Sequence, residues 1–221
     1  MCGRYALNAP VEAIAVQFEA EAGAGSAFPP RSNLAPTAAV PVVAAVSAGR
    51  MILPHRWGLV PSWAKDPGRG LANARAETVA DKPAFRAPFK RGRCIIPADA
   101  FYEWQARPGQ PRQPFCFRAA DGTLLAMAGL RQYWEGPDGA LDTCAIITTA
   151  ANGLMAPIHD RMPVLLAARD YAAWLDPDTP PGRLQELLRP CALDWLVAYP
   201  VHPRVGNARN QGPELMEPAD A

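Results

Sequence analysis

The 221-residue chain is 49% hydrophobic and 19% charged, with a formal net charge of +1. That balance fits one globular core, excludes a disordered protein, and selects no partner by charge alone. No stretch approaches the ~20 apolar residues of a membrane span, and the five cysteines, Cys2, Cys94, Cys116, Cys144 and Cys191, have no metal-type spacing and no secretory signal ahead of them, as expected for reduced cytoplasmic thiols.

Pro10 precedes Val11, Ile14 and Phe18, whose spacing predicts a helix over 11–22. Glycine and proline make 23–30 a loop. Apolar, β-branched runs predict strands over 40–46 and 51–60, then a short one over 93–96. Tyr102-Glu103-Trp104 belongs to a further strand. Segments 115–118 and 123–130 flank Asp121-Gly122, a hairpin signal. Residues 145–149 read as a strand, 152–158 and 167–175 as helices. Another helix is predicted over 183–188 after Pro180-Pro181, and a late strand over 195–199. Strands dominate without βαβ alternation. The expected fold is therefore α+β: a single domain over 1–221, with a mostly antiparallel, barrel-like twisted sheet and short peripheral helices.

Cys2 stands directly behind Met1 and before Gly3. Removal of Met1 would leave a cysteine with an amine and a thiol on adjacent carbons. Their ordinary pKa values, about 7.7–8.0 and about 8.5, give both reactive forms near neutrality. Such an aminothiol condenses with an aldehyde to an imine, which the thiol closes to a thiazolidine. The competing reading is an incidental residue on a frayed terminus.

Three other segments concentrate polar groups among turn residues: Asn73-Ala-Arg-Ala-Glu-Thr78, Pro97-Ala-Asp-Ala-Phe-Tyr-Glu-Trp104 and Ile158-His-Asp-Arg-Met-Pro163. Taken alone, Asn73 reads more readily as a turn or helix-cap residue, and Glu103 has the alternative of an exposed strand residue, Arg75 and Arg161 of surface ion-pair partners. Yet a carboxyl flanked by Tyr102 and Trp104 is placed for partial desolvation, which raises its pKa and suits it to proton transfer. His159, one of three histidines, is the obvious general acid. Only Lys65, Lys82 and Lys90 among the 22 basic residues are lysines. Arginine reads phosphate bidentately and stacks on bases, although a GC-rich coding bias gives the same composition. The basic run Arg86, Lys90, Arg91, Arg93 reads either as part of a phosphate-lined groove or as a solvated loop.

Met-Cys-Gly-Arg-Tyr5, Asn33-Leu-Ala-Pro-Thr37, Trp57-Gly-Leu-Val-Pro61, Asn73-Ala-Arg-Ala-Glu-Thr78, Phe101-Tyr-Glu-Trp104, His159-Asp-Arg-Met-Pro163 and Val205-Gly-Asn207 occur in this order. Together they resemble the SOS response-associated peptidase family, sensors that crosslink themselves to abasic sites in single-stranded DNA. The resemblance spans residues 2 to about 213 and leaves 214–221 as a tail. It implies Cys2 as the crosslinking nucleophile, exposed by a Met1 removal that the family is thought able to catalyse itself. It implies Asn73 as the residue orienting that cysteine and the sugar ring. Glu103 would move protons in imine formation and reversal, and His159 would assist ring opening. Arg4, Arg75 and Arg161 match arginines of DNA-facing motifs, and Trp63 matches an aromatic packing on flanking nucleotides. The implied partner is single-stranded DNA with abasic sites, bound by a cytoplasmic, nucleoid-associated monomer without cofactor, metal or membrane.

Two positions depart from the pattern: Ala64 stands where a second bulky loop residue is usual, and His202 where a small hydroxyl residue is common. Two other functions use the same residues. One is a peptidase acting in trans through Cys2, His159 and Asn73. The other is a non-catalytic single-strand binding module, which leaves Cys2, Glu103 and His159 without a role.

Overall fold

The computed structural model describes residues 2–137 and 139–219. In chain order the strands are β1 (Tyr5–Leu7), β2 (Glu21–Ala22), β3 (Arg31–Leu34), β4 (Ala39–Val46), β5 (Gly49–Trp57), β6 (Asn73–Arg75), β7 (Arg93–Ala98), β8 (Ala100–Arg107), β9 (Gln110–Ala119), β10 (Leu125–Gly136), β11 (Gly139–Ala150), β12 (Arg161–Pro163) and β13 (Leu196–Pro200). The α-helices are short: α1 (Val11–Phe18), α2 (Arg86–Arg91), α3 (Tyr171–Leu175) and α4 (Pro181–Leu187).

Five strands close into a barrel. The antiparallel order β5-β4-β7-β10-β11 returns to β5 through the parallel pairs Thr143↔Arg56 and Cys144↔Trp57. All six residues of β7 are buried, because the barrel interior covers one face and α2 and α3 cover the other; hence its unbroken Cys94-Ile95-Ile96 run. A second antiparallel sheet, ordered β13-β9-β8-β1-β3, packs against the barrel. Phe101 of β8 and Phe117 of β9 stack there at 4.9 Å, a contact worth about 0.5–1.5 kcal/mol beyond its buried area. The α+β, mostly antiparallel, barrel-like expectation holds.

Only Asp99 separates β7 in the barrel from β8 in the second sheet. Its Oδ2 accepts the main-chain N–H groups of Asn8 and Ala9, tying the corner to the end of β1. Barrel and second sheet therefore meet beside the N-terminal strand.

Several local expectations change. The first helix ends at Phe18, not at residue 22, because Glu19 is left-handed (φ 49°) and its N–H closes the last turn. Asp121-Gly122 does turn the chain, with Gly122 at φ 77°, but it is not a hairpin: β9 and β10 lie in different sheets. The long hairpin is β10–β11, paired from Gly129↔Ile146 to Gly136↔Gly139. Residues 152–158 form turns instead of a helix: the Asn152 side chain accepts the Met155 N–H and holds them. Residues 214–219, read as part of a tail, pack into the fold. Leu215 is buried, Val201 bridges Pro218, and the Ala219 N–H donates to the Pro200 carbonyl.

Candidate active site

β1 delivers the N-terminus to Glu103. Its register, Tyr5↔Phe101 and Ala6↔Ala100, is extended by a 3.0 Å hydrogen bond from the Tyr102 N–H to the Arg4 carbonyl. Continued antiparallel, this brings residues 2 and 3 beside 103 and 104. Cys2 is fully buried. Burial pushes its thiol pKa far up, the nearby Glu103 carboxylate adds to this, and a hydrogen bond from the Arg4 N–H opposes it. The thiol is neutral here, and a base must take its proton before sulfur attacks.

Glu103 is 3% exposed, and desolvation raises its pKa while His159 pulls it back. His159 Nε2 lies 3.9 Å from Glu103 Oε2. Two groups approach His159 Nδ1 at 3.0 Å: the Arg161 main-chain N–H and the Asp160 carboxylate. They make opposite demands on that nitrogen. The amide keeps its proton and is fixed at the start of β12, whereas the Asp160 side chain is 86% exposed and open to hydration. The hydrogen-bond network therefore assigns Nδ1 as the acceptor and leaves Nε2, on the Glu103 side, as the proton-bearing nitrogen.

Asn73 sits on β6, which runs parallel to β11 through Ile146↔Asn73 and Thr148↔Arg75. The Trp57 indole N–H donates to the neighbouring Ala72 carbonyl, and Trp57 packs on Tyr5 at 5.2 Å. These contacts tie Asn73 to β1, which follows Cys2 in the chain. The Asn73 side-chain oxygen is buried and has no hydrogen-bond partner among the described residues. An unused buried acceptor costs about 1–3 kcal/mol, and such groups concentrate where a substrate completes the site.

A groove of about 500 Å³ opens at Asn73, lined by Trp63, Leu71, Arg75, Lys82, Pro83 and Phe85 among others. Trp63 is 68% exposed. Its loop is pinned at the base: Leu59 and Leu71 pair, and at the positive-φ positions Gly58 and Gly70 a Cβ would overlap the main chain opposite, the Arg69 carbonyl oxygen from Gly58 and the Gly58 carbonyl from Gly70. The carbonyl of Ala64 accepts the Trp134 indole N–H at 2.8 Å.

The remaining basic positions divide. Arg75 is exposed on the groove wall. Arg161 grips Glu77 with both terminal nitrogens, at 2.6 and 2.9 Å, and also donates to the Thr148 carbonyl. Arg4 donates to Asn33 Oδ1 and to the carbonyls of Val205 and Gly206, while Asn33 holds Val205, Asn207 and Asn210. Three of the sequence motifs thus brace the N-terminal strand. Arg86 and Lys90 are exposed on α2 but do not line the groove. Arg93 leaves the predicted basic run altogether. It is 5% exposed, bonded to the carbonyls of Phe89, Lys90, Trp174 and Asp176, with its guanidinium over the Trp174 ring. The side chain of His202 accepts the Arg204 N–H and caps a short 3₁₀ turn.

Sequence reasoning gave no role to Glu77, Lys82, Phe85 or Gln105. Glu77 lies inside a motif already singled out; the others carry no local signal, because only folding brings them to the groove or to the His159 turn. No group of side chains able to hold a metal occurs among the described residues, and no helix there is long and apolar enough to cross a membrane.

The sequence model of the SOS response associated peptidase (SRAP) family matches residues 1–208. Abasic site processing protein YoqW of Bacillus subtilis is 41% identical over 98% of this chain and 99% of its own length. Abasic site processing protein HMCES of Mus musculus is 32% identical over 100% of this chain and 76% of its own. A crystal structure of a protein from Bacteroides thetaiotaomicron superimposes with a TM-score of 0.89 over 99% of this chain and 100% of the other, at 24% identity, a likeness of fold. The chain belongs to the SOS response associated peptidase family.

Proposed function

We propose that this member of the SOS response associated peptidase family senses abasic sites in single-stranded DNA and crosslinks to them through Cys2. The observation carrying this reading is the convergence of the N-terminal cysteine, a desolvated carboxyl and an oriented imidazole beside an arginine- and tryptophan-lined groove. The relatives' names add that they process abasic sites.

Hydrolysis of the Met1–Cys2 peptide bond, catalysed by the site itself, frees the amine. His159 donates its Nε2 proton toward the deoxyribose ring oxygen while Glu103 accepts the hydroxyl proton, and the ring opens to an aldehyde. The Cys2 amine adds to this carbon, and loss of one water gives the imine. The thiol then adds across the C=N bond: sulfur bonds to carbon, and its proton, relayed by Glu103, ends on nitrogen. The ring closes without further loss. Trapping the imine prevents β-elimination, so the strand stays intact; an imine left untrapped would give lyase activity. Asn73, with its open acceptor, orients the amine or a sugar hydroxyl.

The groove offers each class of group that single-stranded DNA needs. Arg75 and Lys82 neutralise phosphates, and Trp63, Leu71 and Phe85 supply apolar faces for bases. Binding is then indifferent to sequence and weakens with salt.

Mass spectrometry of the product with an abasic oligonucleotide tests the reading. The adduct should weigh the sum of oligonucleotide and protein lacking Met1, less one water, with the link at Cys2. A link at a lysine, or an adduct retaining Met1, refutes the thiazolidine.

A further inference from the structure

Gln105 lies two residues beyond Glu103 on β8, so both side chains leave the same face of the strand. Its Nε2 donates to the carbonyl of Pro157 at 3.1 Å. Pro157 stands two residues before His159, in the turn that Asn152 organises. This turn is bonded internally, with the N–H groups of Ile158 and His159 both directed to the Met155 carbonyl. At its other end the Asn152 amide is tied to the Cys191 carbonyl. Its shape is thus fixed from within and its root from behind. Its exposed rim, at Pro157, reaches β8 through Gln105.

The two members of the proton-transfer pair come from different sheets. Glu103 belongs to β8 in the second sheet. His159 leads into β12, which pairs with β11 of the barrel. The 3.9 Å between them depends on how closely the turn approaches β8, and a displacement of about 1 Å in a reacting constellation lowers rates by up to about 10²-fold.

We propose that Gln105 is a positioning residue, whose amide tethers the His159 turn to β8 and sets the reach between His159 and Glu103 in ring opening. The inference rests on the crosslinking function proposed above. Gln105 does not line the groove, so its effect falls on the chemical step and not on DNA affinity.

The test compares Gln105→Met, which keeps length but loses the donor, with Gln105→Lys, which restores a donor at similar reach. In single-turnover crosslinking at saturating abasic oligonucleotide, Gln105→Met should slow the reaction roughly tenfold, within the range for such displacements, and Gln105→Lys should recover most of it. The DNA concentration giving half the maximal rate should stay unchanged in both. The ring ¹H–¹⁵N shifts of His159 should move in Gln105→Met and return in Gln105→Lys. A Gln105→Met protein that crosslinks at the wild-type rate overturns the tether. So do unmoved His159 shifts, or a Gln105→Lys protein as slow as Gln105→Met. The ring shifts judge the tether without any DNA, whereas a wild-type protein that forms no adduct defeats the crosslinking function itself.

Discussion

Glu103 Oε2 and His159 Nε2 face each other at 3.9 Å across the junction of the two sheets, while the opposite ring nitrogen accepts the Arg161 main-chain N–H. Desolvation keeps the carboxyl pKa raised against the pull of His159, and the buried Cys2 thiol beside it is neutral. No preformed thiolate waits for substrate. In the crosslinking proposed above, proton transfer falls to this pair, which makes the pair, more than the thiol's intrinsic reactivity, the proposed control point.

Glu103→Gln keeps the shape of the carboxyl group but moves no proton. Crosslinking should slow by about 10²–10⁴-fold, the usual worth of general acid–base catalysis. Reversal should slow in parallel, since ring opening and imine hydrolysis use the same group. Preformed labelled adduct, chased with excess unlabelled abasic DNA, reads reversal directly. Equal exchange in wild type and Glu103→Gln removes Glu103 from the mechanism.

The same substitution should stabilise the fold at neutral pH. A carboxyl whose folded pKa is raised binds more protons folded than unfolded, so its presence lowers stability as pH climbs from the unfolded value, about 4.3, through the raised folded value. Gln105 and the strand register are untouched by the change. Thermal melts of Glu103→Gln and wild type should coincide near pH 4, and the variant should melt higher at pH 7. A gap that widens toward acid pH contradicts the desolvated carboxyl.

Cys2→Ala should abolish the heat-stable adduct and leave non-covalent affinity for abasic single-stranded DNA nearly unchanged. The side chain lost is small and wholly buried, whereas the proposed phosphate contacts fall to Arg75 and Lys82 on the groove wall. Gel mobility with and without heating separates the two effects; an adduct of undiminished stability in Cys2→Ala defeats the assignment.

Much of this site was legible before the fold. Cys2, Asn73, Glu103 and His159 each had an ordinary structural reading alone and stood out through the ordered set of motifs that held them, and the flanking Tyr102 and Trp104 anticipated the desolvation of Glu103. Strand runs such as 93–96 were equally plain, since a strand buried on both faces reads as a continuous apolar run. What stayed hidden depended on partners far away in sequence. The turn at Asp121-Gly122 is correct locally, yet which sheet receives the next strand is decided by pairing with β7 and β11. Arginine alone does not reveal its use. Arg4 and Arg93 are directed at carbonyls 201 and 81 residues away, distances over which no spacing rule operates. The turn at 152–158 mimics a helix in sequence because Asn152 supplies the cap but too few residues follow before His159 to propagate one.

Arg75 and Arg161, equivalent in sequence, should behave differently as variants. Arg75 is exposed on the groove wall. Arg75→Ala should weaken binding to every single-stranded sequence, reduce the salt slope by about one, and leave thermal stability unchanged. The Arg161 side chain is 12% exposed and bonded to Glu77 and to the Thr148 carbonyl, so it bridges β12 to the segment after β6. Arg161→Ala removes these charge-assisted bonds, and each is worth about 1.5–3 kcal/mol where it is shielded from water. Because Glu77 is 51% exposed, the loss at that end is discounted toward the surface range, and the Thr148 bond dominates. The melting temperature should fall, and DNA affinity should fall with it. Glu77→Gln separates the two effects. It leaves the Thr148 bond in place, removes the anion that occupies the Arg161 fork, and should raise affinity for undamaged single strands a few-fold at low salt, with the gain vanishing as salt screens the surface. If Arg161 instead serves only the fold, Glu77→Gln will leave DNA affinity unaltered at every salt concentration, and Arg75 will remain the phosphate contact of the two.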